Sequence, residues 1–235
     1  MNVQEATTRR LPDLKGRYLP ENCRETINTI LKETYGYEQF RNLEIYDDLS
    51  KGKEKLCISQ GQLIENVILE AEKAWKGETQ VDNILLTAPT GSGKSLLFQL
   101  PAIYLGKEYN LLTIVVSPLK ALIVDQVESL QELGYTRVAY ASSDLSPEQK
   151  MEVYRQVREG EIDLFYLSSE LLLSYDIKHF VGERRIGLVV VDEAHTVTTW
   201  GKEFRVDYWF LGRYLTALKQ TLGYNFPLFA LTATA

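Results

Sequence analysis

The chain has 235 residues, of which 45% are hydrophobic and 25% are charged, and its formal net charge at pH 7 is −6. These values are ordinary for a soluble globular protein. They argue against a uniformly basic protein that binds nucleic acid through its overall charge, although a local basic groove remains compatible with them.

Cysteines, histidines and apolar runs restrict the class of protein further. Two cysteines without a CxxC spacing and two histidines argue against a disulfide framework or a zinc cluster. The N-terminal segment lacks the apolar stretch of a signal peptide, and the apolar runs are shorter than the ~20 residues that a membrane helix needs. We therefore expect no membrane association and a cytoplasmic location, with association with a nucleoid or a nucleus as a further possibility.

The first 80 residues are predicted to form a helical region that precedes the main domain. Amphipathic patterns over residues 22–36 and 61–77 predict two helices. The polar and charged stretch between them, about residues 42–59, is interpreted as an insertion or a loosely structured connection. We thus divide the chain into an N-terminal helical region, 1–80, and a second domain, 81–235.

In the second domain, short apolar runs alternate with helical patterns. Because these runs are apolar throughout, they are typical of strands that are buried on both faces of a parallel sheet. The predicted strands are 83–88, 111–117, 136–141 (the weakest), 162–168, 186–192 and 227–232. Such alternation predicts an α/β fold in which a doubly wound parallel sheet is flanked by helices.

A glycine-rich loop, APTGSGKS at residues 88–95, lies between the first of these strands and a helical pattern. Gly91 and Gly93 let backbone N–H groups face a phosphate, Lys94 supplies charge for the β and γ phosphates, and the Ser95 hydroxyl can ligate Mg²⁺. The following helix points its positive end at the same anion. We predict a nucleotide site rather than a simple turn. Its predicted contacts are Pro89, Thr90, Gly91, Ser92, Gly93, Lys94 and Ser95.

Two adjacent carboxylates, Asp192 and Glu193, follow the apolar run 186–192. Open α/β sheets bind ligands at this end of their strands, although a carboxylate there also commonly caps the next helix. With a phosphate loop upstream, we favour a catalytic role in which Asp192 holds Mg²⁺ through water and Glu193 orients and deprotonates the attacking water. His195 is interpreted as a contact between the nucleotide and another segment, a packed histidine being the alternative.

Four motifs, PTGSGKS, VVSPLKALIVDQV, VVVDEAH and ALTATA, occur in the order and spacing of a superfamily 2 helicase motor. With three further stretches, 31–41, 90–105 and 192–208, the chain most resembles the RecQ family of DNA helicases over residues 22–235, apart from 42–59. The resemblance implies a RecA-like P-loop NTPase lobe that binds ATP and Mg²⁺. It further implies that ATP hydrolysis drives movement along single-stranded DNA, 3′ to 5′.

The motif ALTATA links two lobes in this superfamily, so we expect that the 235 residues are a fragment from which a second RecA-like lobe is missing. Two alternatives to a helicase stay open at this point. One is a DNA-stimulated ATPase or translocase that does not unwind duplex DNA. The other is a nucleic-acid-binding module that has kept the fold and lost turnover.

The resemblance also implies residues for the adenine base. The stretch YGYEQFR is similar to the family segment that packs on adenine and hydrogen-bonds it, which points to Tyr37, Arg41 and a downstream glutamine. In the family that glutamine follows the Phe-Arg pair almost at once. Here Gln62 follows only after the stretch 42–59, and Gln39 is the alternative.

Contacts with DNA are implied in two places. Ser117 and Pro118 match a family segment that touches the nucleic-acid backbone. The stretch TWGKEFR resembles the aromatic-rich loop that the family places between the ATP site and single-stranded DNA. There Trp200 and Phe204 offer faces for base stacking, and Arg205 offers charge to a phosphate. Packing of the aromatic residues beneath the next helix is the alternative.

Overall fold

A computed structural model describes residues 18–46, 55–89, 91–194 and 206–233. The helices in these ranges are α1 (Glu21–Tyr35), α2 (Gln60–Trp75), α3 (Leu96–Tyr109), α4 (Lys120–Glu132), α5 (Pro147–Arg158), α6 (Ser169–Ser174), α7 (Ile177–Val181) and α8 (Val206–Leu222). The strands are β1 (Asn42–Tyr46), β2 (Lys55–Ser59), β3 (Ile84–Thr87), β4 (Leu112–Val116), β5 (Val138–Ala141), β6 (Leu164–Leu167), β7 (Ile186–Val191) and β8 (Leu228–Thr232). None of the helices in these ranges is long and apolar enough to cross a membrane.

Six of the strands form one sheet in the order β3-β8-β7-β4-β6-β5. Every neighbouring pair in it is parallel. Strands β4, β6 and β7 are buried at every position, as their uninterrupted apolar sequences predict. The predicted α/β fold with a parallel sheet is confirmed. Each of the six strands observed in the sheet lies within the range that the sequence predicts for it.

Helices cover both faces of the sheet. Successive residues of β7 point to opposite faces, so that Val190 belongs to the hydrophobic cluster that includes α1 to α4, and Val189 belongs to the cluster that includes α5 to α8. Helix α3 is buried from Leu96 to Gly106 because it is apolar on all sides. The loop that precedes α3 is therefore attached to a fixed element.

The N-terminal helices share their hydrophobic core with the sheet. Ile27 of α1 and Ile64 of α2 belong to the same cluster as Phe98 of α3 and Tyr166 of β6. The proposed division of the chain at residue 80 stays a prediction, and the two parts pack around one continuous core.

The ends of the stretch 42–59 differ from the loosely structured connection that we considered. Strands β1 and β2 pair in antiparallel register from Asn42↔Ser59 to Tyr46↔Lys55. Leu43 and Ile58 are buried, whereas Glu44 and Cys57 are exposed, so these ends carry the alternation of a half-buried hairpin. The charged residues between the strands, 47–54, lie outside the described ranges, and the interpretation of the stretch as an insertion stays a prediction.

Candidate active site

The glycine-rich loop connects β3 with α3 at the carboxyl ends of the strands. The N–H of Ala88 donates to the carbonyl oxygen of Thr232 over 3.0 Å, which fastens the start of the loop to β8. Gly91 and Gly93 have φ angles of +79° and +78°, a conformation that glycine adopts without a steric cost. Thr90 lies outside the described residues. The loop therefore has the tight curvature that the sequence predicts for binding a phosphate.

The ammonium group of Lys94 lies within the loop. Its Nζ donates to the carbonyl oxygens of Ala88 over 3.0 Å and of Pro89 over 3.2 Å. Both acceptors are neutral, so an anionic phosphate oxygen is a stronger partner for the same ammonium group. Within the described part of the chain, the buried hydroxyl of Ser92 has no hydrogen-bond partner, so this loop also retains an unused donor.

The Ser95 hydroxyl is held by a chain of side-chain hydrogen bonds. It accepts from Gln126 Nε2 over 2.9 Å, and Gln126 Oε1 accepts from Gln99 Nε2 over 2.7 Å. Gln99 Nε2 also donates to the hydroxyl of Tyr166 over 3.2 Å. Ser95 makes no side-chain cap on α3, so its hydroxyl is oriented by α4 and not by its own helix.

Sequence reasoning missed Gln99 and Gln126. The signal available for Gln99 was a polar residue within an otherwise apolar helical stretch, whereas Gln126 lies beside Asp125 in a stretch of mixed polarity and gave no such signal. Gln99 is also 5% exposed, and a buried amide needs hydrogen-bond partners.

Asp192 and Glu193 follow β7 directly and are half-buried. The N–H of Asp192 donates to Val116 O over 2.9 Å, and that of Glu193 donates to Asp192 Oδ1 over 2.9 Å. Glu193 has a φ of +50°, in the left-handed region that costs a non-glycine residue ~1 kcal/mol. Such backbone strain is common where a side chain is aimed for function.

The negative charge of Asp192 affects the pKa of Tyr166, which belongs to the hydrogen-bonded chain that ends on Ser95. Burial is the largest cause that raises the pKa of the Tyr166 hydroxyl. The hydrogen bond from Gln99 lowers that pKa, and the negative charge of Asp192 raises it. Asp192 therefore lies close to the same network of side chains as Ser95.

Strand β8 holds the glycine-rich loop and the acidic pair on its two sides. Ala88 donates to Thr232 O over 3.0 Å, and Ala194 donates to the preceding carbonyl, Leu231 O, over 2.8 Å. Because β3 and β7 both neighbour β8, these two segments are about two strand spacings, roughly 10 Å, apart. Within the described ranges, no group of three His, Cys, Asp or Glu side chains could hold a metal.

Of the residues assigned to adenine, Tyr37 and Arg41 lie on one exposed segment, whereas Gln62 lies on α2. Tyr37 is 47% exposed, its ring stacks on Tyr35 at a centroid distance of 6.4 Å, and the guanidinium carbon of Arg41 lies 5.7 Å from the Tyr37 centroid. Gln39 is exposed, and Gln62 is half-buried, with its backbone carbonyl accepting from Asn66. The choice between the two glutamines stays a prediction.

A third glutamine, Gln60, contacts both candidate regions. It hydrogen-bonds the backbone of Arg41 and, over 3.2 Å, the carbonyl oxygen of Ser92 in the loop. Sequence reasoning missed Gln60, because its partners are distant in the chain.

The residues assigned to DNA are in part outside the described ranges. Ser117 and Pro118 are buried at the end of β4, and in the described part of the chain the Ser117 hydroxyl has no partner. The adjacent Leu119 and Lys120 are exposed. Besides Thr90, the predicted site residues that lie outside the described ranges are His195, Trp200, Phe204 and Arg205. All of these assignments stay predictions.

Comparison with known proteins identifies relatives over most of the chain. The family described as DEAD/DEAH box helicase matches residues 64–235. The ATP-dependent DNA helicase RecQ of Synechocystis sp. is 34% identical over 217 residues, which cover 90% of this chain and 38% of the relative. That of Haemophilus influenzae is 31% identical over 210 residues, covering 89% of this chain and 28% of the relative. The chain thus spans well under half the length of these curated relatives.

A solved structure has a fold similar to that of this chain. The crystal structure of the DUF1998 helicase MrfA bound to DNA matches 93% of this chain and 27% of that chain, with a TM-score of 0.58 and 21% sequence identity. At this level of identity the likeness concerns the fold alone. The parallel sheet is therefore arranged as in a helicase domain.

Proposed function

The chain belongs to the DEAD/DEAH box helicase family, and from this premise we propose that it is the first, ATP-binding motor lobe of a RecQ-type ATP-dependent DNA helicase. The observation that carries the proposal is the attachment of the glycine-rich loop and of the acidic pair to consecutive carbonyls of β8, through Ala88 and Ala194. This attachment places a cationic loop opposite two carboxylates at the carboxyl edge of the sheet, which is the arrangement that a nucleotide with its cation requires.

The residues of the loop fit the phosphates of ATP. Gly91 and Gly93 expose backbone N–H groups, and the Lys94 ammonium group, now bonded to two loop carbonyls, supplies the charge for the β and γ phosphates. Helix α3 begins directly after the loop and adds its positive N-terminal end. For the adenine base of ATP, Tyr37 offers an aromatic face and Arg41 offers a guanidinium group.

Ser95 and Asp192 would hold Mg²⁺, Ser95 directly and Asp192 through water. When bound, Mg²⁺ neutralises charge on the phosphates during their transfer. The Ser95 hydroxyl suits this role because Gln126 occupies one of its two lone pairs and leaves the other for a cation. We assign His195 as a contact between the nucleotide and another segment of the motor.

Glu193 is the residue that we assign to activation of water. A carboxylate that accepts the proton of a water molecule as it attacks the γ phosphate acts as a general base. The backbone at Glu193 is left-handed, and the bond from its N–H to Asp192 Oδ1 holds the Asp192 carboxylate against the backbone of Glu193. Hydrolysis therefore depends on the conformation of residues 192 and 193, which the segment that follows them in the chain can alter.

The segment that follows the acidic pair in the sequence contains Trp200, Phe204 and Arg205. We assign single-stranded or duplex DNA as the partner, with bases stacked on the aromatic rings and with Ser117 and Pro118 at the DNA backbone. DNA bound there would shift Glu193 into place and couple hydrolysis to movement in the 3′-to-5′ direction. We further propose a cytoplasmic location for the protein, with association with a nucleoid or a nucleus as the alternative.

Titration calorimetry and hydrolysis assays test the proposal in two stages. The 235-residue chain should bind ATP in the presence of Mg²⁺. Joined to a second RecA-like lobe, it should hydrolyse ATP faster with single-stranded DNA and separate a duplex that carries a 3′ tail. Stimulation without strand separation would identify a translocase, and DNA binding without turnover would identify a nucleic-acid-binding module. Failure of the chain to bind ATP would refute the proposal.

A further inference from the structure

Gln60, the first residue of α2, joins two parts of the site. It is 3% exposed, and its side-chain Oε1 accepts from the N–H of Arg41 over 3.1 Å. Its Nε2 donates to the carbonyl oxygen of Ser92 over 3.2 Å, and its backbone N–H donates to the Arg41 carbonyl oxygen over 2.9 Å. A single side chain therefore connects the segment that carries Tyr37 and Arg41 with the phosphate loop.

The two partners of Gln60 require an amide. Arg41 presents an N–H donor and Ser92 presents a carbonyl acceptor, so one end of the side chain must accept and the other must donate. A carboxylate would direct an oxygen at the Ser92 carbonyl. A shorter amide would lose one methylene of reach. The bridge is thus specific to glutamine at this position.

Close packing accompanies these hydrogen bonds. A Cβ atom at Gly93 would come within 2.7 Å of Gln60 Nε2, so the amide lies directly against the glycine of the loop. A Cβ atom at Gly61 would come within 2.6 Å of a ring carbon of Phe40. The start of α2 is therefore in contact with the loop on one side and with the adenine segment on the other, and a side chain at either glycine would force its neighbour to move.

We propose that Gln60 is a positioning residue that sets the placement of the adenine segment, Tyr37 with Arg41, relative to the phosphate loop. This inference rests on the proposed function and deepens it. A nucleotide can bind the adenine segment through its base and the phosphate loop through its phosphates. Its affinity exceeds that of the base or the phosphates alone only when the two protein segments are held at the right separation, because the second contact is then intramolecular. Gln60 acts through the backbones that it holds, and it is assigned neither to the base nor to a phosphate.

The test compares ATP with inorganic tripolyphosphate, a ligand that lacks the base and the ribose. Gln60→Met removes both side-chain hydrogen bonds at nearly constant volume. Asn66→Leu is the matched control, since Asn66 is a second buried amide on α2, and its Nδ2 donates to Gln62 O over 2.7 Å. The dissociation constants of both ligands are measured by calorimetry with Mg²⁺ on the 235-residue chain, for the parent and for both variants.

We expect Gln60→Met to weaken ATP binding about tenfold or more and tripolyphosphate binding less than about threefold, so that the preference for ATP falls. Asn66→Leu should leave this preference unchanged. The ratio of the two affinities is insensitive to partial unfolding, because both ligands bind the same folded fraction. In the absence of any ligand, the Arg41 amide should exchange its hydrogen faster in Gln60→Met than in the parent.

Two results would overturn the inference while leaving the proposed function intact: equal weakening of both ligands, which would make Gln60 a support of the loop alone, and unchanged affinities for both ligands. A parent chain that binds neither ligand would instead refute the proposed function, and unaltered exchange of the Arg41 amide would then overturn the inference independently.

Discussion

The hydroxyl of Ser95 and the side-chain amide of Gln126 are joined by a hydrogen bond of 2.9 Å that spans from the phosphate loop to α4. Gln126 is itself held by Gln99, over 2.7 Å, so the bond ends a chain that reaches the sheet at Tyr166. The direction of the Ser95 lone pairs is therefore set by residues that belong neither to the phosphate loop nor to the acidic pair.

Gln126→Leu should lower the apparent affinity for Mg²⁺ in ATP binding about fivefold, because loss of one hydrogen bond of ~1 kcal/mol frees the Ser95 hydroxyl to rotate. Gln131→Leu, at an exposed amide of the same helix, is the control and should behave as the parent. Titrations of ATP at several Mg²⁺ concentrations measure the effect. A Mg²⁺ dependence identical to that of the parent would show that Ser95 needs no orientation by Gln126.

Lys94→Ala and Glu193→Gln should separate binding from hydrolysis. Lys94→Ala removes the charge that faces the β and γ phosphates and should abolish ATP-dependent activity. Glu193→Gln keeps the size of the side chain and removes the base, so ATP binding should persist while hydrolysis is lost. Calorimetry and a phosphate-release assay in the two-lobed protein measure the two effects. Turnover by Glu193→Gln at the rate of the parent would contradict the assignment of the base.

Trp200→Ala and Arg205→Ala should reduce stimulation by single-stranded DNA more than they reduce ATP affinity. Loss of one stacked base costs about 1–3 kcal/mol, whereas loss of a buried tryptophan would lower the free energy of unfolding by ~3–5 kcal/mol and damage every activity. Phe210→Ala, at an aromatic residue of α8 that is 47% exposed, is the control. Undiminished stimulation in a folded Trp200→Ala protein with normal ATP affinity would remove the coupling role.

A buried ionic cluster at the opposite edge of the sheet should affect stability alone. Asp163 accepts from Arg184 over 3.0 Å, with side chains only 3% and 4% exposed, and Arg137 also bonds it, over 2.6 Å. Asp163→Asn should lower the free energy of unfolding by roughly 3–5 kcal/mol, because it leaves the Arg184 charge buried without its partner.

Urea denaturation measures this loss, and the ATP affinity of the folded variant should equal that of the parent, since these residues precede β6 and β7 whereas the site follows β3 and β7. Glu161→Gln, at an exposed partner of Arg155, is the control and should cost less than about 1 kcal/mol. A similarly small loss in Asp163→Asn would show that water reaches the cluster.

The six strands of the sheet and the curvature of the glycine-rich loop could be predicted from the sequence, because each depends on local chemistry. A strand covered by helices on both faces must be apolar at every position, as in β7, and a loop with φ angles near +80° requires glycine at Gly91 and Gly93. These requirements leave their mark within a few consecutive residues, where a sequence pattern can detect them.

Contacts between distant parts of the chain were decided by the tertiary structure. Gln60 lies 32 positions from Ser92, and Gln126 lies 31 positions from Ser95. In the sequence each glutamine is only a polar residue in a helix, and nothing local distinguishes Gln60 from Gln62. Likewise, the pairing of β1 with β2 was hidden by the charged residues between them. An amide side chain acquires its role from the donor or acceptor that the fold places against it, and that partner is set by the packing of α2 and α4 around α3.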